Sequence, residues 1–221
     1  MRKKLIIPVL TMISLLMLAS STLAVNTFSV NTFFNGNTEL GNTDYDLSQL
    51  TFGLTVPLDK KVSIGAELAS GDIERYSAYG DTFSYRIKGA YNILADRKFK
   101  LDLTGGVYHR SFEYPHDWSY SDYEINSLFV GVDGRLLLDP KAWIDLGLAI
   151  GLLPDEKLDL YTGQHRKGNP DSLVLFNFKF NYLLNKQLGL TVGYTSETYN
   201  SERLAPGNSH TGLSLSGFYR F

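Results

Sequence analysis

The sequence of 221 residues contains no cysteine. This absence excludes a disulfide framework and any metal site built from thiolates. There is no Gly-X-Y repeat, and a hydrophobic content of 43% with 13% aromatic residues is too high for a disordered chain. With a formal net charge of −2, the chain has no basic excess for binding nucleic acid. Its length suits one domain or two small ones.

Residues 1–24 have the three parts of a secretory signal peptide: a basic start, an apolar stretch and a small-residue cleavage site. The apolar stretch, residues 5–19, is shorter than the span of about twenty residues that a transmembrane helix needs. Pro8 also interrupts it. We expect cleavage after Ala24, which leaves an exported domain of residues 25–221. No cysteine lies beside the cleavage site, so a lipoprotein anchor is excluded.

The rest of the chain has no helical periodicity, and apolar residues alternate with other residues instead. In residues 174–182, for example, every even position is Val, Phe or Tyr, which is typical of a strand with one apolar face. Most of the alternating segments reach the length of about ten residues that a tilted strand needs to cross a bilayer. The segments span residues 25–36, 47–57, 61–70, 82–94, 98–112, 122–138, 141–153, 171–184, 187–199 and 209–221.

Short and long connections alternate between these segments. The short ones lie at residues 58–60, 95–97, 139–140 and 185–186. The long polar ones lie at residues 37–46, 71–81, 113–121, 154–170 and 200–208. This order is typical of an up-and-down antiparallel sheet with one plain end and one elaborated end. We therefore predict an all-β fold, a closed transmembrane β-barrel of about ten strands, with eight strands as the alternative.

Alternation alone does not decide which face of the barrel points inward. A soluble lipocalin-like barrel turns its apolar face to the lumen, whereas a membrane barrel turns that face to lipid. The length of the strands and the predicted signal peptide favour a membrane barrel, with its apolar face toward lipid. The other face would then line the lumen with seven basic and five acidic residues: Glu67, Arg86, Lys88, Lys100, Asp102, Arg110, Asp133, Arg135, Asp145, Lys179, Glu197 and Arg220.

We expect these lumen residues to form salt bridges that leave the interior plugged or very narrow. A narrow pore lined by Arg86, Lys88, Arg110 and Arg135 is the alternative.

The last strand, residues 213–221, alternates apolar residues and closes on Phe221. It resembles the C-terminal strand of bacterial outer-membrane β-barrels. In that family the terminal aromatic residue is part of the signal that the barrel-assembly machinery reads. The resemblance covers the whole mature chain as an architecture and selects no subfamily. It implies a location in the bacterial outer membrane, contact with membrane lipids and lipopolysaccharide, and short turns on the periplasmic side.

One group of outward residues has the composition of a nucleophile, a base and an orienting acid. His109 and Ser111 share the apolar face of their strand, and a hairpin symmetric about residues 117 and 118 would pair Ser111 with Glu124. The group is similar to that of outer-membrane lipid A deacylases, which carry His-x-Ser on a barrel strand. Here Phe112-Glu113 follows where that family has Asn-Ala. A lipid hydrolase is therefore an alternative function. Our first expectation is that the protein is not an enzyme.

The long loops, taken as residues 37–46, 70–82, 113–122, 154–170 and 200–209, carry a summed charge of −8. Such loops could hold divalent cations that bridge to lipopolysaccharide, or bind a basic surface partner. No loop has the spacing of a metal site, and we expect no cofactor. The sequence thus predicts an outer-membrane barrel with a structural, surface-interaction or narrow-pore role. The alternatives are a lipid A deacylase-like hydrolase and a soluble periplasmic lipocalin-like binding barrel.

Overall fold

The structure, a computed structural model, describes residues 27–40, 43–75, 78–114, 120–170, 172–200 and 208–221. The predicted signal peptide and the first two residues of the first predicted strand lie outside this part of the chain. Every regular element in the described residues is a β-strand. No helix long and apolar enough to cross a membrane is found among them.

Ten long strands and one short strand form a single sheet. They are β1 (Thr27–Leu40), β2 (Thr43–Pro57), β3 (Val62–Arg75), β4 (Ala78–Ala95), β5 (Phe99–Glu113), β6 (Tyr120–Asp139), β7 (Ala142–Leu160), the short β8 (His165–Gly168), β9 (Ser172–Leu183), β10 (Leu188–Asn200) and β11 (Asn208–Arg220).

The sheet closes because β1 pairs antiparallel with β2 on one side and with β11 on the other. All the other long strands also have two antiparallel neighbours, in chain order, with β7 meeting β9 directly. Among the described strands, the short strand β8 pairs only with β7, at residues 156–159. The predicted fold class, a closed up-and-down barrel, is confirmed, and the number of wall strands is ten.

In the half of the wall that adjoins the short turns, the apolar side chains point outward. On β7, Leu146, Leu148 and Ile150 are 48%, 50% and 51% exposed. On β11 the inward residues Ser214 and Ser216 are buried. This polarity is the reverse of a soluble barrel with an apolar lumen, so the lipocalin-like alternative is not favoured. An apolar outer band of this kind is typical of transmembrane β-barrels.

The strands reach further toward the long-loop end than the sequence predicted. We call this end of the barrel the loop end and the opposite end the turn end. Strand residues occupy most of the predicted loops 37–46 and 71–81 and much of 154–170, while residues 201–207 of the last loop lie outside the description.

The cause is that the inward residues of several strands, such as β2 and β6, become apolar toward the loop end. On β6, Tyr123 and Ile125 point inward and are buried, whereas the apolar residues below them, such as Leu128, point outward. The inward positions of β6 remain odd throughout, since its register with β5 is unbroken. The shift that the β6–β7 ladder records between Asn126 and Leu128 changes the buried positions of β7 from odd, as at Trp143, to even, as at Leu158. A search for one continuous apolar face therefore ends the strand too early.

The predicted loop 154–170 is wrong in a second respect, because it contains β8. The pairing of β7 with β9 stops at Ile150 opposite Val174, and β7 then pairs with β8 from Glu156 to Asp159. Between the two ladders Leu153 has a φ of 52°. This left-handed conformation is unusual for a residue with a side chain and marks the bend where β7 leaves β9.

The four short turns share one device, an Asp or Asn whose side-chain oxygen accepts backbone N–H bonds of the turn. Asp59 Oδ1 accepts from Lys61 at 2.6 Å and from Val62 at 2.7 Å. Asp139 and Asn185 repeat this two-bond pattern, and Asp96 accepts one bond. Such bonds satisfy turn donors that the strand ladders leave unpaired. The bonds from Lys61 and Val62 lower the pKa of Asp59 below its ordinary value of 3.8.

The variant Asp59→Ala should unfold at lower urea concentration than the native chain, because both turn bonds are lost. The folded-state pKa of Asp59 is lowered, so its stabilisation is complete above the ordinary value of 3.8 and disappears as pH falls through the lowered value. The difference between the two proteins should therefore shrink in acid. Urea unfolding in detergent over a pH series measures it, with Asp59→Asn, which keeps the acceptor oxygen, as the control. An equal difference at every pH would contradict this account.

Candidate functional site

The interior of the barrel is filled by apolar side chains at the loop end. Inward residues from both sides of the lumen meet there, and the rings of Tyr45 and Tyr114 approach to 5.6 Å although β2 and β5 are not neighbours. We call this cluster the apolar plug. Its members are Tyr45, Leu47, Ile73, Tyr108, Phe112, Tyr114, Tyr123, Ile125, Phe129, Leu158, Leu173, Leu175 and Tyr199. All of these side chains are at most 5% exposed, so they pack closely together inside the barrel at that level.

A buried polar network lies directly beneath the plug. Glu197 Oε2 lies 3.1 Å from Nη2 of Arg110 and accepts hydrogen bonds from the hydroxyls of Tyr108 at 2.7 Å and Tyr199 at 3.0 Å. Arg110 also donates from Nε to the Tyr108 hydroxyl at 3.0 Å. The side chains of Arg110 and Glu197 are only 3% and 8% exposed. The network ties β5 to β10 across the lumen, since these strands are not adjacent.

Eight of the other ten charged residues predicted for the lumen also meet in pairs. Arg86 Nε donates to Glu67 at 2.9 Å, and Lys88 on β4 reaches Asp133 on β6 at 2.8 Å. Arg135 holds Asp145 with two bonds, of 2.6 and 3.1 Å. With the network above, five inward carboxylates have five cations: Arg86–Glu67, Lys88–Asp133, Lys100–Asp102, Arg110–Glu197 and Arg135–Asp145.

Aromatic side chains narrow the lumen at the turn end. Trp143 and Phe218 point inward, are 4% and 6% exposed, and their rings lie 5.6 Å apart. The guanidinium of Arg220 stacks 4.6 Å from the centre of the Trp143 ring. The Trp143 indole donates to Asp145 at 3.1 Å, which fixes it to the lowest ion pair. The charged middle of the barrel thus lies between two layers of aromatic and apolar groups.

Two small cavities lie in this charged middle. The larger, of about 70 Å³, is on the loop side, and the smaller, of about 40 Å³, is on the turn side. Glu67 and Arg86 line both cavities, so their ion pair separates them. Each has room for a few water molecules, and neither has room for an organic solute.

The outward residues His109, Ser111 and Glu124 share a region of the wall, and the ladder pairs Ser111 with Glu124. The side chains of His109 and Glu124 are nevertheless engaged elsewhere. His109 Nδ1 lies 2.8 Å from Asn126 Oδ1, and Glu124 lies 3.5 Å from Lys157 Nζ. Among the described residues no hydrogen bond links His109 to Ser111 or to Glu124. This arrangement does not support nucleophilic catalysis, and the hydrolase alternative is not favoured.

The sequence reasoning missed a row of carboxylates on the outer wall above the apolar band. Asp72, Asp81, Glu113, Asp122 and Asp159 are successive cross-strand neighbours from β3 to β7. We call them the acidic row. Like charges directly opposite one another destabilise a sheet. The alternation Asp-Tyr-Glu-Ile at residues 122–125, with charge on one face and bulk on the other, was the sequence signal that predicts such a wall.

Possible metal ligands do not gather in the described residues. No group of three or more His, Asp or Glu side chains there has the arrangement of a metal site.

No protein-family model and no curated protein matches the sequence. Solved structures do match the fold. The outer-membrane protease OmpT of Escherichia coli superposes with a TM-score of 0.67 over 91% of this chain and 100% of its own, at 9% identity. The fold is that of a bacterial outer-membrane β-barrel. Neisserial surface protein A covers 89% of this barrel at 11% identity with a TM-score of 0.48, and Ail of Yersinia pestis covers 90% at 9% identity with a TM-score of 0.43.

The Arg110–Glu197 pair gives a stability prediction. Replacing Arg110 by Met leaves a buried carboxylate without its cation, which we expect to cost about 3–5 kcal/mol. The double variant Arg110→Met/Glu197→Gln should recover much of that loss. The control is Lys100→Met, because Lys100 is 43% exposed and its pair with Asp102 should contribute less than about 1 kcal/mol. Urea unfolding in detergent measures all three variants. Equal losses for Arg110→Met and Lys100→Met would refute the structural role of the network.

Proposed function

We propose that this protein is a non-conducting barrel of the bacterial outer membrane that presents a charged wall beyond the lipid. The observation that carries the proposal is the apolar plug. A pore needs a hydrated path, whereas here the loop end of the lumen is packed with buried side chains such as Ile73, Ile125 and Leu158, all 0% exposed. The surface through which such a protein contacts other molecules is its outer wall.

The membrane location is supported by the apolar band and by the turn-end rim. Phe221 is 52% exposed, and its ring lies 4.9 Å from that of Tyr219, on the outward face of β11. Aromatic residues at this level suit the boundary between hydrocarbon and headgroups. The proposed partners are therefore outer-membrane lipids and lipopolysaccharide around the band, and the barrel-assembly machinery at Phe221.

The narrow-pore alternative is less favoured by this geometry. Conduction would require the apolar plug to open and the Glu67–Arg86 pair between the two cavities to separate. The plug is held by stacked rings, with Phe112 lying 6.1 Å from Tyr114 and 6.3 Å from Tyr123. Of the ion pairs below it, Arg110–Glu197 crosses the lumen between strands that are not adjacent. The pairs Glu67–Arg86 and Arg135–Asp145 join neighbouring strands along the wall.

The height of the wall supports a surface role. Strand β6 has 20 residues, so it is about 66 Å long at about 3.3 Å per residue. A tilt of about 40° gives a wall about 50 Å tall, twice the apolar band of about 25 Å that such barrels have. The projecting half carries the acidic row. A row of this charge suits a cationic partner, or divalent cations shared with lipopolysaccharide phosphates.

Conductance tests the first part of the proposal. The purified protein should run as a heat-modifiable band on a gel and give no discrete conductance steps in a planar bilayer. The triple variant Tyr45→Ala, Phe112→Ala and Tyr123→Ala removes rings from the plug and should introduce brief openings. Stable conductance steps from the native protein would overturn the non-conducting assignment. A band that does not shift on heating would overturn the barrel in detergent.

Binding of an oligolysine peptide tests the surface role. The detergent-solubilised barrel should bind the peptide in a salt-dependent manner, and neutralising Asp72, Glu113 and Asp122 to their amides should weaken binding about tenfold at low salt. The control changes Asp59, Asp96 and Asp139 to Asn, which removes the same charge at the turn end and keeps the turn acceptors. Equal weakening by both triple variants would show that total charge matters and the acidic row does not.

A further inference from the structure

The charges of the twelve residues predicted for the lumen, all of which the structure describes, do not balance. The five carboxylates at the middle and turn-end levels are each taken by one cation, and two cations of the predicted lumen set, Lys179 and Arg220, are left over. Among the described residues no carboxylate oxygen lies within 4.0 Å of either one. A further inward carboxylate, Glu156, lies in the plug and accepts a bond from Tyr123.

The two unpaired cations differ in their surroundings. Arg220 is at the turn-end mouth of the lumen, where it stacks on Trp143 and remains partly solvated. Lys179 is on β9 in the middle of the barrel, where it lines the larger cavity. The side chain of Lys179 is half-buried there, and the cavity lies between the apolar plug and the Trp143–Phe218 layer.

The neighbouring carboxylates are already neutralised. Glu67 feels the charges of Arg86, Lys179 and Lys88, with that of Arg86 the strongest. Asp145 is directly opposite Lys179 in the ladder but is occupied by Arg135, Trp143 and Asn181. If Lys179 pairs with either carboxylate, the charged residues that line the cavity still carry one excess positive charge.

We propose that the larger cavity binds one small monovalent inorganic anion, of the size of chloride, as the counter-ion of Lys179. Arg86 and hydroxyl groups such as that of Thr195 complete a polar lining, and the volume of about 70 Å³ admits a halide with water but not a larger organic anion. The anion serves as a structural ligand of the folded barrel. The inference is independent of the surface role, and its failure would leave the non-conducting barrel intact.

Diffraction from crystals grown with bromide in place of chloride tests the site directly. An anomalous peak is expected in the larger cavity beside Lys179 Nζ. The variant Lys179→Met should lack the peak, and Arg220→Met, which removes an equal charge at the lumen mouth, should keep it. Lys179→Met also removes an unpaired charge from the interior, so it is expected to fold. No peak in the native protein, or direct pairing of Lys179 with Glu67 in an anion-free cavity, would overturn the proposal.

A solution measurement supplies the second readout. The melting temperature of the native protein should rise as chloride replaces gluconate at constant ionic strength, because an anion that binds only the folded state stabilises it. This rise should vanish in Lys179→Met and in Lys179→Gln and persist in Arg220→Met. The same chloride dependence in all four proteins would show a general salt effect and would refute a bound counter-ion.

Discussion

Closure of the sheet is the constraint on which the rest of this structure depends. Because β1 pairs with β11, each of the ten wall strands has a hydrogen-bonded neighbour on both sides. The backbone N–H and C=O groups of the paired residues are therefore satisfied within the wall. Only then can the side chains on the outer face be wholly apolar. Closure also fixes an inside of limited width, and every inward side chain must share that space with those of the opposite strands.

The space is shared in two different ways along the axis. At the level of the apolar outer band, the inward residues are polar and pair their charges, as Lys88 on β4 and Asp133 on β6 do at 2.8 Å. Beyond lipid, the outer face meets water and the inside becomes the only place for apolar groups. The plug and the charged middle are therefore two consequences of one wall that passes from hydrocarbon into water.

The sequence predicted much of this fold because period-two alternation is a direct record of which side chains share a face. The strand order, the closed sheet and the plain and elaborated ends followed from that record and from the connection lengths. The upper thirds of β6 and β7 did not, because there the apolar residues move from the outward face to the inward face. Tyr123 and Leu128 are both apolar but have opposite parity, so a search for one apolar face stops between them.

The candidate site was less predictable for a related reason. Parity placed Arg110 and Glu197 on one face of the sheet, but their contact joins strands 87 positions apart in sequence and depends on the stagger of the closed barrel. The register of Ser111 with Glu124 followed from hairpin symmetry, since it is local. The same register places Asn126 directly opposite His109, and Asn126 Oδ1 lies 2.8 Å from His109 Nδ1.

The filled interior has a consequence for a cell that carries such a barrel in its outer membrane. An open barrel sets a limit on its own abundance, because every added copy makes the membrane leakier to toxic solutes. A barrel whose cross-section is occupied by Ile125, Leu158 and their neighbours has no such limit. Its number at the surface is free to follow the demand for the wall it displays, without a change in the permeability of the envelope.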